Sequence, residues 1–596
     1  MTNAQIPAPF DAHAIGPAEL PSKGRTLSHL SERLVAANSK ADAKHEAKNR
    51  KIIKLLRKAL EEFRGDNYPE CCKLALEALD IDSEHPQANH VMAVGLERIG
   101  ELSKSITFFE RAMERDPNDN EISFNLGLVA WRLQMMDAAE RLFRIYVDKV
   151  PGSTEGYNNL AGVLRDRNKY DAAVEILRSA LMRYPEDPQL WNSLGTVVLE
   201  TGQMQEALTF FQEAARLKPD FARAHYNIGY LYNHTGPYDL ALQCYEKAMA
   251  LPFAPEDRAE SEHARALALL LLGRIEEGFK QWAVRNDPRF RAAPVYGFRL
   301  PLWKDEPLEG KRILLVAEQG LGDEIMYGNA IPDIVKEVGP DGKVCIACDQ
   351  RLVTLFARSF PNAIVGPHSG MSHNGKMVRG VVWLSKVSPI DYWAPFGDLL
   401  QYRRKRIEDF ANKPPLLQAD PERVAFWRAR LEALGPGPYV GISWKSLVMS
   451  GRRQKFYTPI KQWGPVLKVP GVKFVNLQYG DCAADIAEAE QRFGVKIHNF
   501  EDLDIKNNLD DNAALCSALD LAISAPNAAA QIVGGVGTEI WYIAINTIWP
   551  QLGTDHVPWY PKTRIFEPKA YGDFDDGLAQ AATALAEWSG QKRAAA

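Results

Sequence analysis

Small and large residues follow one another through the first half of the chain with a period of 34 residues. Prolines recur at this spacing, at Pro117, Pro151, Pro185 and Pro219. Ten residues after each proline stands a small residue: Gly127, Ala161, Gly195 and Gly229. Eight residues before each proline stands a large apolar residue: Phe109, Phe143, Leu177 and Phe211. Two antiparallel helices lie close where small residues meet, and a proline ends the second helix. The pattern therefore predicts about six helical hairpins between residues 52 and 254. One closing helical pair follows at 260–285.

A different pattern begins beyond Pro288, where short apolar runs alternate with helical stretches. The clearest candidate strands are ILLVAE (313–318), KVCIAC (343–348), VVWL (381–384), YVGISW (439–444), KFVNLQ (473–478), LDLAIS (519–524) and EIWYIAI (539–545). Alternation of strands and helices predicts parallel sheets with helices on both faces. A charged helix followed by GPGP, around residues 401–437, divides this region into two lobes.

The predicted fold class is therefore α plus α/β, an N-terminal α-solenoid followed by two Rossmann-like lobes. The predicted boundaries are a disordered N-terminus (1–28), the solenoid (29–285), a linker (286–311), a first lobe (312–420) and a second lobe (421–590).

Composition narrows the possible functions. Hydrophobic residues make up 46% of the chain and charged residues 25%, with a net charge of −5, so nucleic acid is an unexpected partner. No apolar run approaches the ~18 residues of a membrane span, and the first residues do not read as a secretory signal. The seven cysteines are scattered, and the pair in KVCIAC lies on a strand whose alternate residues face opposite sides. These features predict a cytoplasmic protein with no membrane span and no disulfide framework.

The 34-residue period resembles the tetratricopeptide repeat (TPR), whose hairpins form a groove lined by the first helix of each hairpin. Two positions before each small residue stand Asn125, Asn159, Ser193 and Asn227. Carboxamides donate and accept hydrogen bonds, so such a row is able to hold an extended peptide by its backbone. The row resembles the asparagine ladder of the O-linked N-acetylglucosamine transferases. The alternative is that these asparagines only solvate a surface or bond locally, and Ser193 interrupts the row.

Several segments of the second half carry a further resemblance. They are EQGLGDEIMYGNAIPDI (318–334), PERVAFWRARLEALGPGPYVGISWK (421–445), VKFVNLQYG (472–480), APNAAAQIVGGVG (525–537) and VPWYPKTRIF (557–566). Together they resemble bacterial TPR proteins with an attached glycosyltransferase domain, and GLGD followed by a proline is similar to heptosyltransferases. The resemblance implies the glycosyltransferase-B (GT-B) architecture and an inverting, metal-independent transferase. It also implies a nucleotide-sugar co-substrate and no bound cofactor.

In the heptosyltransferase-like pattern, the aspartate of GLGD is the catalytic base, which is Asp323 in this chain. An inverting transfer needs such a base to take a proton from the attacking hydroxyl. Glu318 is the second candidate, and Gly320 and Gly322 permit the tight turn that faces the donor. The alternative is that Asp323 caps a helix, which lowers the pKa of a carboxyl group and weakens it as a base.

On the donor side, Lys445, Arg452 and Arg453 are predicted to neutralise the leaving phosphate. The alternative is a basic surface loop. The other donor-side candidates are Gln478, Asn527, Gln531 and Gly534. Related enzymes usually carry an Asp-Thr pair and a histidine where this chain has Pro526, Asn527 and Gln531. Either the donor differs from the usual nucleoside diphosphate sugar or the activity has been lost.

The organisation resembles flagellin glycosyltransferases, which implies a protein O-glycosyltransferase whose repeats bind an acceptor protein such as flagellin. The donor of those enzymes is a nonulosonic acid such as pseudaminic acid, linked to cytidine monophosphate (CMP). Two alternatives stay open. One is a catalytically degenerate scaffold or chaperone that binds the same partner, and the other is a transferase that acts on small molecules.

Overall fold

The computed structural model describes residues 43–373, 376–387, 389–411, 413–446 and 456–595. The predicted disordered segment 1–28 lies outside the described residues. The described chain forms two compact units, the first ending at Ala224 and the second beginning at His225.

Twelve helices form six consecutive hairpins, so the predicted repeat architecture is confirmed. They are α1 (Ala43–Arg64), α2 (Tyr68–Ile81), α3 (Pro86–Ile99), α4 (Leu102–Arg115), α5 (Asn120–Arg132), α6 (Met136–Lys149), α7 (Thr154–Asp166), α8 (Tyr170–Arg183), α9 (Pro188–Glu200), α10 (Met204–Leu217), α11 (Ala222–Thr235) and α12 (Tyr238–Ala250). The predicted closing pair follows as α13 (Pro255–Leu271) and α14 (Ile275–Trp282). Most of α11 and all of α12–α14 belong to the second unit.

The repeating prolines lie in the turns between hairpins, and a helix cap follows each of the first three. Asp119, Ser153 and Asp187 stand two residues after a proline. Each side chain accepts a hydrogen bond from a backbone N–H in the first turn of the next helix, at 3.0, 3.1 and 2.8 Å. Such a cap stabilises a helix by about 1 kcal/mol, so each turn fixes where the next hairpin begins.

Each small residue of the period faces a large one 16 positions later. A Cβ atom added at Gly127 would lie 3.0 Å from the ring of Phe143, and one added at Gly195 would lie 2.7 Å from Phe211. The equivalent positions of the repeat between them hold Ala161 and Leu177, both fully buried. The smaller leucine therefore accompanies alanine, whereas the larger phenylalanine accompanies glycine.

The second unit continues into two parallel sheets. The first has the order β4-β3-β2-β7 and the second the order β10-β9-β8-β11-β12-β13. A three-stranded sheet of order β1-β6-β5 accompanies the first. The strands are β1 (Val295–Tyr296), β2 (Arg312–Val316), β3 (Lys343–Cys348), β4 (Ile364–Pro367), β5 (Ser369–His373), β6 (Lys376–Gly380), β7 (Tyr392–Pro395), β8 (Tyr439–Ser443), β9 (Lys473–Asn476), β10 (Ile497–His498), β11 (Leu521–Ser524), β12 (Ile540–Ile543) and β13 (Thr563–Phe566).

Ten further helices accompany these strands. They are α15 (Leu321–Tyr327), α16 (Ile331–Val338), α17 (Val353–Ser359), α18 (Asp398–Arg403), α19 (Pro421–Glu432), α20 (Gly464–Leu467), α21 (Ala483–Phe493), α22 (Leu509–Ala518), α23 (Ala528–Gly535) and α24 (Phe574–Ala595). Within the described chain, no helix combines the length and apolarity needed to cross a membrane.

One predicted strand, VVWL at 381–384, is wrong. β6 ends at Gly380, and the segment turns so that Val382 is 77% exposed. The turn brings Trp383 over β4, where its indole Nε1 donates to the carbonyl of Pro367 at 2.8 Å. A Cβ atom at Gly366 would lie 2.6 Å from this ring, so a glycine is needed beneath it. The prediction was wrong because an apolar run has the same appearance in a sequence whether a turn or a strand packs its residues against the core.

The closing helix α14 is joined to the α/β region by a shared core. Trp282, at the end of α14, contacts Tyr327 of α15 and Trp549 after β12, with ring centroids 5.0 and 5.7 Å apart. Arg285 follows in a short 3₁₀ turn and is buried. Its guanidinium lies 2.6 Å from Glu318 and 2.8 Å from Asp398, both in the first lobe. The end of the repeat array is therefore part of the α/β core.

We expect Gly195→Ala to destabilise the first unit by about 1–2 kcal/mol, because overpacking against Phe211 outweighs the helix propensity that alanine gains. The double variant Gly195→Ala/Phe211→Leu reproduces the pair at Ala161 and Leu177 and should be more stable than the single variant. Denaturant unfolding followed by circular dichroism measures both. An unchanged midpoint for Gly195→Ala would show that this helix contact is loose.

We expect Arg285→Met to destabilise the second unit by about 3–5 kcal/mol, because Glu318 and Asp398 remain buried without their cation. The loss should be smaller at pH 5 than at pH 8, since protonation relieves the uncompensated charge. Thermal unfolding at both pH values provides the measurement. The matched control is Arg289→Met, whose half-exposed ion pair with Asp287 should contribute little to stability. Equal losses for the two variants would contradict a structural role for the buried pair.

Candidate functional site

An open pocket lies at the carboxyl ends of two neighbouring strands of the second sheet, and its empty volume of about 710 Å³ includes open solvent. Pro526 follows β11, and the segment 545–549 follows β12. Asn233 and His234 of α11 and two leucines of α13 form the facing wall. The carboxyl edge of a parallel sheet is where α/β proteins bind ligands, so this is the leading candidate site of the second unit.

Aromatic and amide side chains line this pocket. Phe456, Tyr457 and Trp549 supply rings, and none of the described lining residues is Asp, Glu, Lys or Arg. Burial lowers the pKa of His234 to about 4, so its imidazole is neutral at pH 7. Asn546 Nδ2 donates to the backbone carbonyl of His234 at 2.6 Å, which joins the end of α11 to the second sheet.

Asn233 has an unsatisfied acceptor at this pocket. Its side chain is 5% exposed, and its Nδ2 donates to the carbonyl of Ala264 at 3.3 Å. Its Oδ1 has no hydrogen-bond partner among the described residues. No sequence pattern indicated the pocket as a whole, although its lining residue Pro526 lies in the predicted donor-side loop 525–537. The segment after the predicted strand 539–545 was a usable signal for one wall, but no pattern indicated that α11 supplies the other.

The predicted catalytic loop lies between β2 and α15 of the first lobe. Gln319 has a left-handed backbone with φ of 61°, and Gly320 is the N-cap of α15. The backbone N–H of Gly320 donates to Asp323 Oδ2 at 2.9 Å. The capping alternative for Asp323 is therefore present in the structure.

Asp323 nevertheless differs from an ordinary capping aspartate. Its side chain is only 4% exposed, and burial raises the pKa of its carboxyl group to about 8. The Gly320 N–H opposes this rise, whereas the nearby Glu324 and Glu318 add to it. The expected lowering of the pKa by the helix end is thus outweighed by desolvation. A pKa near 8 suits a group that exchanges a proton near neutral pH.

Glu318, the second base candidate, is held by its own chain. Its Oε1 lies 2.6 Å from Arg285 and accepts the backbone N–H of Gly397 at 2.8 Å. It is 1% exposed. These contacts with Arg285 and Gly397 indicate a structural role for Glu318.

Three predicted donor-side or loop residues come together around Tyr560. A Cβ atom at Gly322 would lie 3.2 Å from Gln531 and 3.4 Å from the Cα of Ala528, so the GLGD loop packs on α23. Gln531 Oε1 accepts the hydroxyl of Tyr560 at 2.5 Å. A Cβ atom at Gly534 would lie 2.5 Å from the Tyr560 ring. The structure therefore brings the two predicted loops into contact.

Asn527 and Gln478 connect the ends of three strands. Asn527 Nδ2 donates to Ser443 Oγ at 2.8 Å, while its Oδ1 caps α23 through Ala530 N at 3.2 Å. Gln478 Oε1 accepts the backbone N–H groups of Trp444 and Lys445 at 3.0 and 2.9 Å. Both amides therefore fix the backbone that follows β8.

Lys445 is paired within the second lobe, because its Nζ lies 2.5 Å from Asp485 Oδ2. Arg452 and Arg453 lie outside the described residues. Phosphate binding by Lys445, Arg452 and Arg453 therefore remains a prediction.

A charged cluster beside Asp323 was missed by the sequence analysis. His368, after β4, contacts Glu324 at 2.9 Å, and Arg379 of β6 contacts His368 at 2.9 Å and donates to the carbonyl of Gln319 at 3.0 Å. Glu324 also accepts the backbone N–H of Asp349 at 2.7 Å. The cluster fixes the first turn of α15. Of this cluster, only Glu324 could have been recognised from the sequence. Its partners come from distant strands, so local spacing does not indicate them.

The predicted ladder residues of the first unit are largely buried. Asn125 Nδ2 lies 3.1 Å from His90 Nε2, and Asn159 Nδ2 has no partner among the described residues. Ser193 is partly exposed at the third position. Asn227 belongs to the second unit and is fully buried. The neighbouring Asn158 is buried with neither amide atom paired among the described residues, so α7 has unsatisfied amides at two consecutive positions.

Models of the tetratricopeptide repeat match residues 92–154, 158–220 and 222–254. Among solved structures, the chain is similar to TTC0263, a thermophilic TPR protein of Thermus thermophilus. The two are 26% identical, with 31% of this chain and 100% of that chain covered at a TM-score of 0.28. A TPR protein from Parabacteroides merdae ATCC 43184 is 18% identical, with 41% and 93% covered at a TM-score of 0.34.

The chain is also 40% identical over 547 residues to Protein FlbA of Caulobacter vibrioides (strain ATCC 19089 / CIP 103742 / CB 15). The match covers 92% of each protein. With this identity along nearly the whole length of both sequences, the chain belongs to the family of Protein FlbA.

Proposed function

We propose that the chain is a protein O-glycosyltransferase. The repeats bind an acceptor protein, and the α/β region, acting as a GT-B domain, transfers a sugar from a nucleotide-sugar to serine or threonine. The observation that supports this most directly is the contact between the two predicted loops. The pocket of the second sheet is lined by Pro526, and two residues later Ala528 contacts Gly322 in the loop of Asp323. In this proposal the pocket holds the donor, and the loop that carries the candidate base packs on the helix that follows Pro526.

In this proposal, Asp323 takes the proton of the attacking hydroxyl as the sugar–phosphate bond breaks. The hydroxyl oxygen attacks the sugar carbon, the nucleotide leaves with the bonding electron pair, and the stereochemistry inverts. A carboxylate with a raised pKa is a stronger base than an exposed one, which favours proton transfer near neutral pH. The transfer is proposed to need no metal or bound cofactor.

Flagellin as acceptor and a CMP-linked nonulosonic acid such as pseudaminic acid as donor are further parts of the proposal. They follow from the resemblance to flagellin glycosyltransferases. A cytoplasmic location is the compartment expected for an enzyme that modifies a protein before its export.

A scaffold without transferase activity is the second candidate, and two contacts favour it. The carboxylate of Asp323 already accepts the Gly320 N–H, and Glu318 is occupied by Arg285. In that case the repeats bind the same protein partner, and the α/β region serves only as a stable attachment. A transfer assay separates the two candidates.

Co-expression with flagellin should add the mass of the sugar to flagellin, as measured by intact-protein mass spectrometry. Asp323→Asn should lower the modified fraction at least about 100-fold, because the amide retains the cap but does not accept the proton. The control is Asp341→Asn, at an exposed turn, which should leave the modification unchanged. Unmodified flagellin with the wild-type chain, in cells that make the donor, would favour the scaffold.

The contribution of Asp323 to the stability of the second unit should fall as the pH rises from about 4 to about 8. The folded state holds the Asp323 proton up to a pKa of about 8, whereas the unfolded chain releases it near 3.8. The contribution is complete below pH 4 and is lost as the pH passes the folded pKa, with a slope of at most about 1.4 kcal/mol per pH unit. Asp323→Asn should remove this slope in denaturant unfolding. An identical slope in the wild type and the variant would contradict a raised pKa at Asp323.

A further inference from the structure

We propose that the pocket between α11 and the second sheet binds a nucleobase, and that Asn233 of the repeat array recognises it through an N–H group of the base. The proposal rests on the proposed function, since the base belongs to the nucleotide of the donor. It assigns a specificity role to a helix of the repeats and not only to the α/β region.

The side chains that line the pocket are suited to an uncharged portion of a ligand. The described lining residues are apolar, aromatic or amide side chains together with Thr547 and the neutral His234. Among the described lining residues, a phosphate would find no Lys or Arg side chain to pair with. A sugar with several hydroxyl groups would leave most of them unpaired against the leucines of α13. A nucleobase is planar and largely apolar on its faces, and it carries its polar groups on one edge.

Three rings are available for stacking with such a base. Phe456 and Tyr457 stand on one wall. Trp549 is held in place by Trp282 and Trp559, with centroid distances of 5.7 and 5.9 Å. Stacking on an aromatic side chain stabilises any bound base, because every base has a π-face. The fixed orientation of Trp549 reduces the entropy that binding would otherwise cost.

Asn233 supplies the polar contact. Because its Nδ2 points to the carbonyl of Ala264, exchanging the amide atoms would place two acceptors against each other. The orientation is therefore determined, and Oδ1 is the atom left without a partner among the described residues. A buried acceptor without a donor is unfavourable, and an N–H group of a bound base would satisfy it.

The position of Asn233 also has a mechanical consequence. α11 is the first helix of the sixth hairpin, and its last turn is joined to the second sheet by Asn546 at the carbonyl of His234. A base bound between these elements adds a contact on both sides of that junction. Binding should therefore stabilise the second unit.

The test measures equilibrium binding by titration calorimetry on the full-length chain. The probes are the monophosphates of cytidine, uridine, adenosine and guanosine, with ribose 5-phosphate as the probe without a base. We expect at least one nucleotide to bind at least about tenfold more tightly than ribose 5-phosphate. Asn233→Leu should weaken that binding about tenfold, the equivalent of one hydrogen bond of about 1.4 kcal/mol.

The matched control is Asn512→Leu, which removes another buried amide that donates to a backbone carbonyl, that of Ile505, at 3.3 Å. This variant should bind nucleotide as the wild type does. Phe456→Leu removes a stacking ring at a partly buried position, keeps an apolar side chain against the core, and should also weaken binding. It keeps the proposal testable should Asn233→Leu not fold.

The results separate this proposal from the proposed function. Nucleotide binding that depends on Asn233 and Phe456, in a chain that transfers no sugar, would support the pocket and refute the transferase. Sugar transfer by a chain whose nucleotide affinity is unchanged in both variants would refute the pocket and keep the transferase. Absence of tighter binding by any of the four nucleotides would overturn the inference directly.

Discussion

Arg285 lies fully buried between the carboxylates of Glu318 and Asp398, with its guanidinium stacked 4.0 Å from the ring of Trp282. Removing three charged groups from water is costly unless each finds a partner, and here one cation bridges two anions from separate segments of the first lobe. Trp282 also contacts Trp549, which follows β12 of the second sheet. The closing helix of the repeats thereby becomes part of the core that both lobes share. The second unit accordingly includes α12, α13 and α14 together with the α/β region.

The same burial shapes the candidate chemistry. Asp323 follows Glu318 closely in the chain and is almost fully buried, so water does not stabilise its charge. Desolvation raises the pKa of its carboxyl group even though a backbone N–H donates to it. A compact junction between the two lobes therefore has two effects. It stabilises the fold, and it gives one carboxyl group the protonation behaviour of a base near neutral pH.

The repeat array could be predicted from the sequence because the contacts that define a hairpin are local. The 34-residue period, the caps after the prolines and the pairing of glycine with phenylalanine all depend on residues no more than one repeat apart. Buried parallel strands such as β3 and β8 were also predictable, as continuous apolar runs. The prediction of a strand at VVWL failed because the segment forms a turn that packs Trp383 against β4 and leaves Val382 exposed. β4, β7, β10 and β13 were not predicted, since each has only two to four residues and little apolar continuity.

The sequence alone determined the TPR solenoid, the parallel α/β region and the candidate loops at Asp323, Asn527 and Gln531. Periodicity and strand-edge position are encoded within short windows, so no distant residue is needed to recognise them. Only the tertiary structure decided which residues meet. It paired Lys445 with Asp485 and Glu318 with Arg285. It also placed Asn233 of a repeat helix at the pocket of the second sheet, 293 positions before Pro526. Such contacts depend on how remote segments pack and desolvate one another, and residue spacing does not report that.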